Sequence, residues 1–261
     1  MHGMYVRRMV MGLAVGIAAL ASAGDKVSLR ADAWFPYNGD PASDKPGYTI
    51  EIAKAVFEKA GLTLDYQTKG WTWDRSIAEA RKGSIDGIIG AAKEDAPDFV
   101  FPEECIGIQV QTFFVKKGNA WRFKGIESLK AVKLGVISGY AYGDDVDAYI
   151  KANLDKPAVQ VLQDDNALEL NVKKLGAGRI DVIIEDGAVF HAKIAELKMS
   201  DQFEVAGDTA SPKPAYITFS PAKKATSEKY AKLLSDGIKA MRASGELKKI
   251  LDKYQISDWQ K

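Results

Sequence analysis

Two short stretches of this chain repeat one another. Gly83-Ser84-Ile85-Asp86-Gly87-Ile88-Ile89 matches Gly178-Arg179-Ile180-Asp181-Val182-Ile183-Ile184. Each joins helix-type sequence, through a glycine, to an apolar run of strand type. Each also closes a longer series written in the same order. In the first series, Val27–Ala31 reads as a strand and Ile50–Ala60 as a helix, with Ile52, Ala53, Val56, Phe57 and Ala60 on one face and Gly61 as the stop. Leu62–Gln67 is then a strand, Asp74–Lys82 a helix and Ile85–Ile89 a strand. In the second series, strands at Lys133–Ile137, Val159–Leu162 and Asp181–Ile184 alternate with helices at Asp144–Leu154 and Asn166–Leu175. Asn166 and Glu169 have the spacing of a capping box. Strands alternating with helices predict an α/β protein, and the recurrence predicts two similar βαβαβ lobes.

Two further strand-like runs, Gln109–Lys116 and Ala215–Ser220, sit between one lobe's worth of sequence and the next. They predict two crossings, with one lobe formed by residues 26–113 and 217–261 and the other by 114–216. A pair of crossing strands is a hinge. The closing stretch from Thr226 to Gln260 reads as helical, with Tyr230, Leu233, Leu234, Ile238 and Met241 on one face.

Ahead of the first series lies a leader. Arg7 and Arg8 are the only charged residues before Asp25, and an uncharged run from Met9 ends in Ala21-Ser22-Ala23. This is the pattern of a secretory signal peptide over 1–23, and the run is short for a bilayer span. Its removal takes away two arginines and no acids, moving the formal net charge from +1 to −1. Near-neutrality argues against general nucleic-acid binding. One cysteine, Cys105, excludes an internal disulfide and any CxxC site. His2 and His191 are too few for a His-rich metal centre, so neither metal nor cofactor is expected.

In open α/β sheets ligands gather at the carboxyl ends of the strands, and with two lobes those ends face one cleft. Asp32-Ala33-Trp34-Phe35-Pro36-Tyr37 follows the first strand of one series, and Ser138-Gly139-Tyr140-Ala141-Tyr142-Gly143 that of the other. Trp34, Tyr37, Tyr140 and Tyr142 are candidates to sandwich a ligand or to fill the core, and Phe35 reads as core. The second loop opens a helix, whose N–H groups suit an anion. Trp73 starts a helix and is placed to lean into the cleft, whereas Trp71 reads as core. At the third-strand tips stand Gly90-Ala91-Ala92-Lys93-Glu94-Asp95 and Glu185-Asp186-Gly187. An acidic pair ending an apolar strand is poor core material. Asp186 is therefore expected to hold a cationic amine. Lys93 is either the matching contact for an anion or a solvated loop lysine. Glu103-Glu104 and Asp144-Asp145 read as solvated pairs, His191 as structural and Cys105 as a buried thiol.

These residues, in this order, resemble the extracellular solute-binding proteins of family 3, the polar amino-acid type. The resemblance spans 26–257. It rests on Gly47-Tyr48-Thr49-Ile50-Glu51-Ile52-Ala53, Trp73-Asp74, Gly83–Ile88, Lys133-Leu134-Gly135-Val136, Gly178–Asp181 and Glu185-Asp186. It implies the type II periplasmic-binding fold and a periplasmic, monomeric protein that delivers a small solute to the permease of an ABC importer. Presentation to a membrane sensor and a dehydratase-like enzyme are the alternatives on this fold. It further implies that Trp34 and Trp73 flank the ligand, that the Gly139–Tyr142 loop meets its carboxylate and that Asp186 grips its ammonium. One departure stands out. The family's carboxylate-binding arginine has no counterpart, since Gly90 to Trp121 contains no arginine. Either Lys93 supplies the charge or the ligand is not a standard α-amino acid.

Overall fold

The two repeated phrases do the same job in three dimensions. The Asp86 carboxylate accepts the Ser28 N–H at 2.8 Å. The Asp181 carboxylate accepts the Lys133 N–H at 2.8 Å. Each aspartate thus ties the entrance of its lobe's third strand to the first strand of that lobe. The preceding glycines, Gly83 at φ 80° and Gly178 at φ 68°, occupy the left-handed region that turns the chain from helix to strand. The computed structural model describes residues 25–154, 156–209 and 212–260. The expected signal peptide lies outside them.

In the first lobe, β1 (Lys26–Arg30), β2 (Thr63–Gln67) and β3 (Gly87–Ala91) alternate with helices α1 (Tyr48–Lys59) and α2 (Trp73–Lys82). β4 (Gly107–Gln109) closes this part of the chain. The second lobe holds β5 (Gln111–Lys116), β6 (Leu134–Ile137), α3 (Asp144–Ala152), β7 (Val159–Leu162), α4 (Ala167–Gly176), β8 (Val182–Asp186), α5 (Gly187–Glu196) and β9 (Phe203–Asp208). β10 (Lys213–Phe219) then returns to the first sheet, and α6 (Lys224–Ser244) and α7 (Glu246–Lys253) finish the chain. The sheets run β2-β1-β3-β10-β4 and β7-β6-β8-β5-β9. In each, three parallel strands in the same order are joined by one antiparallel strand, β10 or β5. The architecture is α/β with two lobes of matching topology.

The sheets change hands at Val110 and between Asp208 and Lys213. Gln111 pairs with Asp186, and Pro214 with Ile108. Residues 111–113 therefore lie in the second sheet and 213–216 in the first, a few residues earlier in each case than the expected boundaries.

The cores follow the patterning. Val27, Leu29, Ile88 and Ile89 of the first sheet and Leu134, Val182 and Ile184 of the second are buried, as strands covered on both faces must be. α6 lays Tyr230, Leu234, Ile238 and Met241 inward. Several local expectations are corrected. Asn166 makes no side-chain cap on α4, its amide N–H donating to Asp165 instead, and Glu169 pairs with Lys173. Glu104 is buried, held by Arg242 at 3.0 Å and by Gln260, whereas Glu103 is exposed. Phe35 is exposed rather than core, because the turn at Phe35-Pro36 directs Trp34 and Tyr37 inward in its place. Cys105 is only half-buried.

Candidate functional site

The carboxyl ends of β1 and β3 in one lobe face those of β6 and β8 in the other. Between them is a cavity of about 30 Å³. From the first lobe come Asp32, Trp34, Trp73, Ile89, Gly90 and Asp95; Gln109 and Gln111 flank the crossing at Val110; Tyr140 and Ala141 come from the second lobe. Trp34 is set in place from three sides. It stacks on Tyr37 at 3.9 Å. Its ring lies against the backbone of Gly90, where an added Cβ would stand 3.2 Å from the ring at φ 95°. Its indole N–H donates across the cleft to Glu185 Oε1 at 3.0 Å. Tyr140 crosses in the opposite direction, its hydroxyl donating to Asp32 Oδ2 at 2.6 Å, and it meets Trp73 edge-on at 6.0 Å.

Further bonds join the lobes beside the cavity. Asp74 accepts from Ser138 Oγ at 2.6 Å and from Gln163 Nε2 at 3.0 Å. Asp165 accepts the Gly70 N–H at 3.0 Å. All five of these crossing bonds pair a carboxylate with a neutral donor. Gly139, at φ 77°, packs against Asp74 and Trp73 so closely that a Cβ would collide with the Asp74 carboxylate. Gly139→Ala is thus expected to prop the lobes apart, seen as a larger radius of gyration in X-ray scattering. An unchanged profile would show that the contact does not govern closure.

The electrostatics are set by buried acids. Burial raises the Glu185 carboxyl to about 8 against the Trp34 and Asp186 hydrogen bonds, and the charges of Asp186 and Asp32 push the same way. Burial likewise raises Asp32 to about 6, tempered by the Tyr140 hydroxyl. Asp95, whose carboxylate accepts the Ala92 N–H, is raised to about 7, chiefly by desolvation. Each shift follows from the cost of keeping a charge away from water.

Of the residues singled out by sequence, the structure brings Trp34, Trp73 and Tyr140 together around the cavity. Tyr37 supports Trp34 from behind and sends its hydroxyl to Ile108 O. Glu185 reaches the rim through Trp34. Tyr142 is buried in the second lobe, its hydroxyl oxygen accepting the Ile137 N–H. Lys93 is exposed, 5.8 Å from the Tyr216 ring, and does not line the cavity. Asp186 does not line the cavity. It caps α5 by accepting the Ala188 and Val189 N–H groups, and its other oxygen accepts the N–H of Val110 in the crossing. With three backbone donors satisfied by one side chain, Asp186→Ala is expected to cost about 2 kcal/mol in urea unfolding. A loss under about 0.5 kcal/mol, the scatter of ordinary surface changes, would refute the capping role. Two N–H groups at the opening of α3 are taken by the chain itself, since Asp147 accepts from Tyr142 N and Gly143 N.

Sequence reasoning did not single out Asp32, Asp95, Gln109 or Gln111. Asp32 and Asp95 belong to loops it had marked. The glutamines are two apart beside the crossing, a spacing that puts both on one face of an extended chain.

A family model, bacterial extracellular solute-binding proteins, family 3, matches residues 29–257. The chain belongs to this family. Its relatives include the L-cystine-binding protein TcyJ of Escherichia coli K12, 26% identical over 233 residues, covering 86% of this chain and 79% of that one. Among solved structures, an ancestral arginine-binding protein bound to arginine superposes with a TM-score of 0.69 at 24% identity, covering 89% of this chain and 99% of that one. The arginine-, lysine-, histidine-binding protein ArtJ of Geobacillus stearothermophilus gives 0.70 at 21% identity, covering 88% and 95%. The two-lobed fold of this family 3 protein is that of the periplasmic binding proteins.

Proposed function

We propose that this family 3 protein captures a small polar solute between its lobes, closes on it, and hands it to the permease of an ABC importer. The observation that carries this reading is the cavity itself. It lies where the strand ends of both lobes meet, and it is bridged by Trp34–Glu185 and Tyr140–Asp32. A solute can enter only if those bonds break, and it contacts both lobes once they re-form. Capture is thereby coupled to closure about the crossings at Val110 and 208–213. A closed shape that differs from the open one gives a permease something to recognise. The lobes that move are 25–109 with 213–260, and 111–208. Cleavage after Ala23 and release as a monomer outside the inner membrane complete the reading. It is supported by the leader pattern and by the extracellular setting of the family.

Native mass spectrometry of freshly purified mature chain should reveal a co-purifying small molecule at one per chain, recovered chemically unchanged. Adding it back to stripped protein should shrink the radius of gyration and alter tryptophan emission. Turnover of the molecule, or identical scattering with and without it, would overturn the proposal.

A further inference from the structure

We infer that the solute is an organic cation, an amine or guanidinium, that brings no carboxylate into the cavity. This deepens the solute-capture reading and rests on it.

The lining decides the sign of the charge. Among the described residues it includes two carboxyls, Asp32 and Asp95, and no lysine, arginine or histidine. A third carboxyl, Glu185, is bonded to the rim residue Trp34 and has its Oε2 buried without a partner. Lys213 is the basic residue felt at Asp95, but it pairs with Glu94 at 3.6 Å and does not line the cavity. A ligand carboxylate would enter beside two acids with no cation to receive it. At the start of α3 the Tyr142 and Gly143 N–H groups are not on offer to a carboxylate, because the chain's own Asp147 already accepts from them.

The unpartnered groups point the same way. Gln111, nine-tenths buried and lining the cavity, leaves its Oε1 without a hydrogen bond while its Nε2 is given to Gln109. A buried acceptor left open calls for a donor. With Asp32 and Asp95 it forms an acceptor set suited to N–H groups. Trp73 Nε1 is also unpartnered. One indole donor can serve a hydroxyl, but a carboxylate has about four lone-pair sites to satisfy. Trp34, Trp73 and Tyr140 line the same space, and aromatic rings are the apolar groups that best tolerate a cation beside them.

Closure adds a second argument. Asp32 belongs to one lobe and Glu185 to the other, so closure brings together two carboxyls that repel one another when ionised. A cation between them turns that repulsion into attraction. A cationic solute therefore favours the closed form, whereas an anionic one would oppose it.

The test uses the full mature chain, stripped of solute, in calorimetric titrations. The probes are cations matched with the amino acids that differ from them only by a carboxylate: ethanolamine with serine, putrescine with ornithine, agmatine with arginine. At least one cation should bind ten-fold or more tightly than its amino-acid counterpart. Glu185→Gln and Asp32→Asn should each weaken that binding at least ten-fold while leaving the protein folded. Should either variant fail to fold, Asp95→Asn at the rim provides the same readout. Amino acids binding as tightly as the cations, or the co-purifying molecule carrying a carboxylate, would overturn the inference and leave solute capture standing. Absence of any solute from both titration and mass spectrometry would overturn the capture reading itself.

Discussion

Trp34→Ala is expected to lower the unfolding free energy by about 3–5 kcal/mol and to abolish ligand-driven closure. The ring is buried between Tyr37 and the Gly90 backbone, so its loss removes a large contact area from rigid surroundings. Gly90 holds a positive φ and cannot easily move in to fill the space. The same change removes the indole N–H from Glu185, whose other oxygen already lacks a partner. A buried carboxyl losing a donor costs a further share of the total. Trp34→Phe separates the two effects. It keeps a six-membered ring on Tyr37 while deleting the N–H and the small five-membered part of the indole, so its cost should be about 1–3 kcal/mol. Urea unfolding of the three proteins measures both. An alanine variant within about 0.5 kcal/mol of the parent would show that the ring is not part of a packed cleft.

The lobes were legible in the sequence because their causes are local. Strand runs, helical faces and glycine stops are each set within about ten residues, and the repeated Ile-Asp phrase encodes the tie between third and first strands. The aromatic loops were legible for the same reason, since strand ends are where such a fold exposes side chains. The acids were harder to read. Tyr140 and Asp32 are 108 residues apart, and Trp34 and Glu185 are 151 apart. Their pairing depends on how two lobes face one another, which no local pattern records. Asp186 shows the other difficulty. Its position at a strand tip suggested a ligand contact, but the Gly187-Ala188-Val189 that follows opens a helix, and an aspartate just before a helix is a capping residue. Both roles fit the same residue type at the same place in the chain, so the strand-tip position by itself does not reveal the cap. Lys93 likewise stands on the expected loop but reaches solvent.

Stability of the solute-free protein should fall as pH rises from about 5 to 8, opposite to the usual acid weakening. Glu185 is held at about 8 against an ordinary 4.5, and Asp32 at about 6 against 3.8. A carboxyl whose folded value is raised binds its proton more tightly in the folded chain. Its contribution is fully present below the unfolded value and is lost as pH climbs through the folded one. For Asp32 that window runs from about 4 to 6, and for Glu185 from about 4.5 to 8. Asp95, at about 7, adds to the same trend. Groups packed against them reinforce it, since Asp74 acts on Asp32, Asp186 on Glu185, and Glu94 and Asp147 on Asp95, with Lys213 opposing only at Asp95. The Glu185 shift alone corresponds to a limit of about 5 kcal/mol. Parting of the lobes lets water reach the charge first, so a loss of about 2–3 kcal/mol is expected between pH 5 and 8. Glu185→Gln removes the proton exchange while keeping the oxygen that accepts from Trp34. Its melting temperature should therefore decline less steeply with pH and exceed that of the parent at pH 8. A bound cation should act similarly, raising the parent's melting temperature more at pH 8 than at pH 5, because only the ionised acids attract it. Parallel melting curves for parent and Glu185→Gln across this range would mean that Glu185 is ionised throughout, and the buried acids would then not set the pH response.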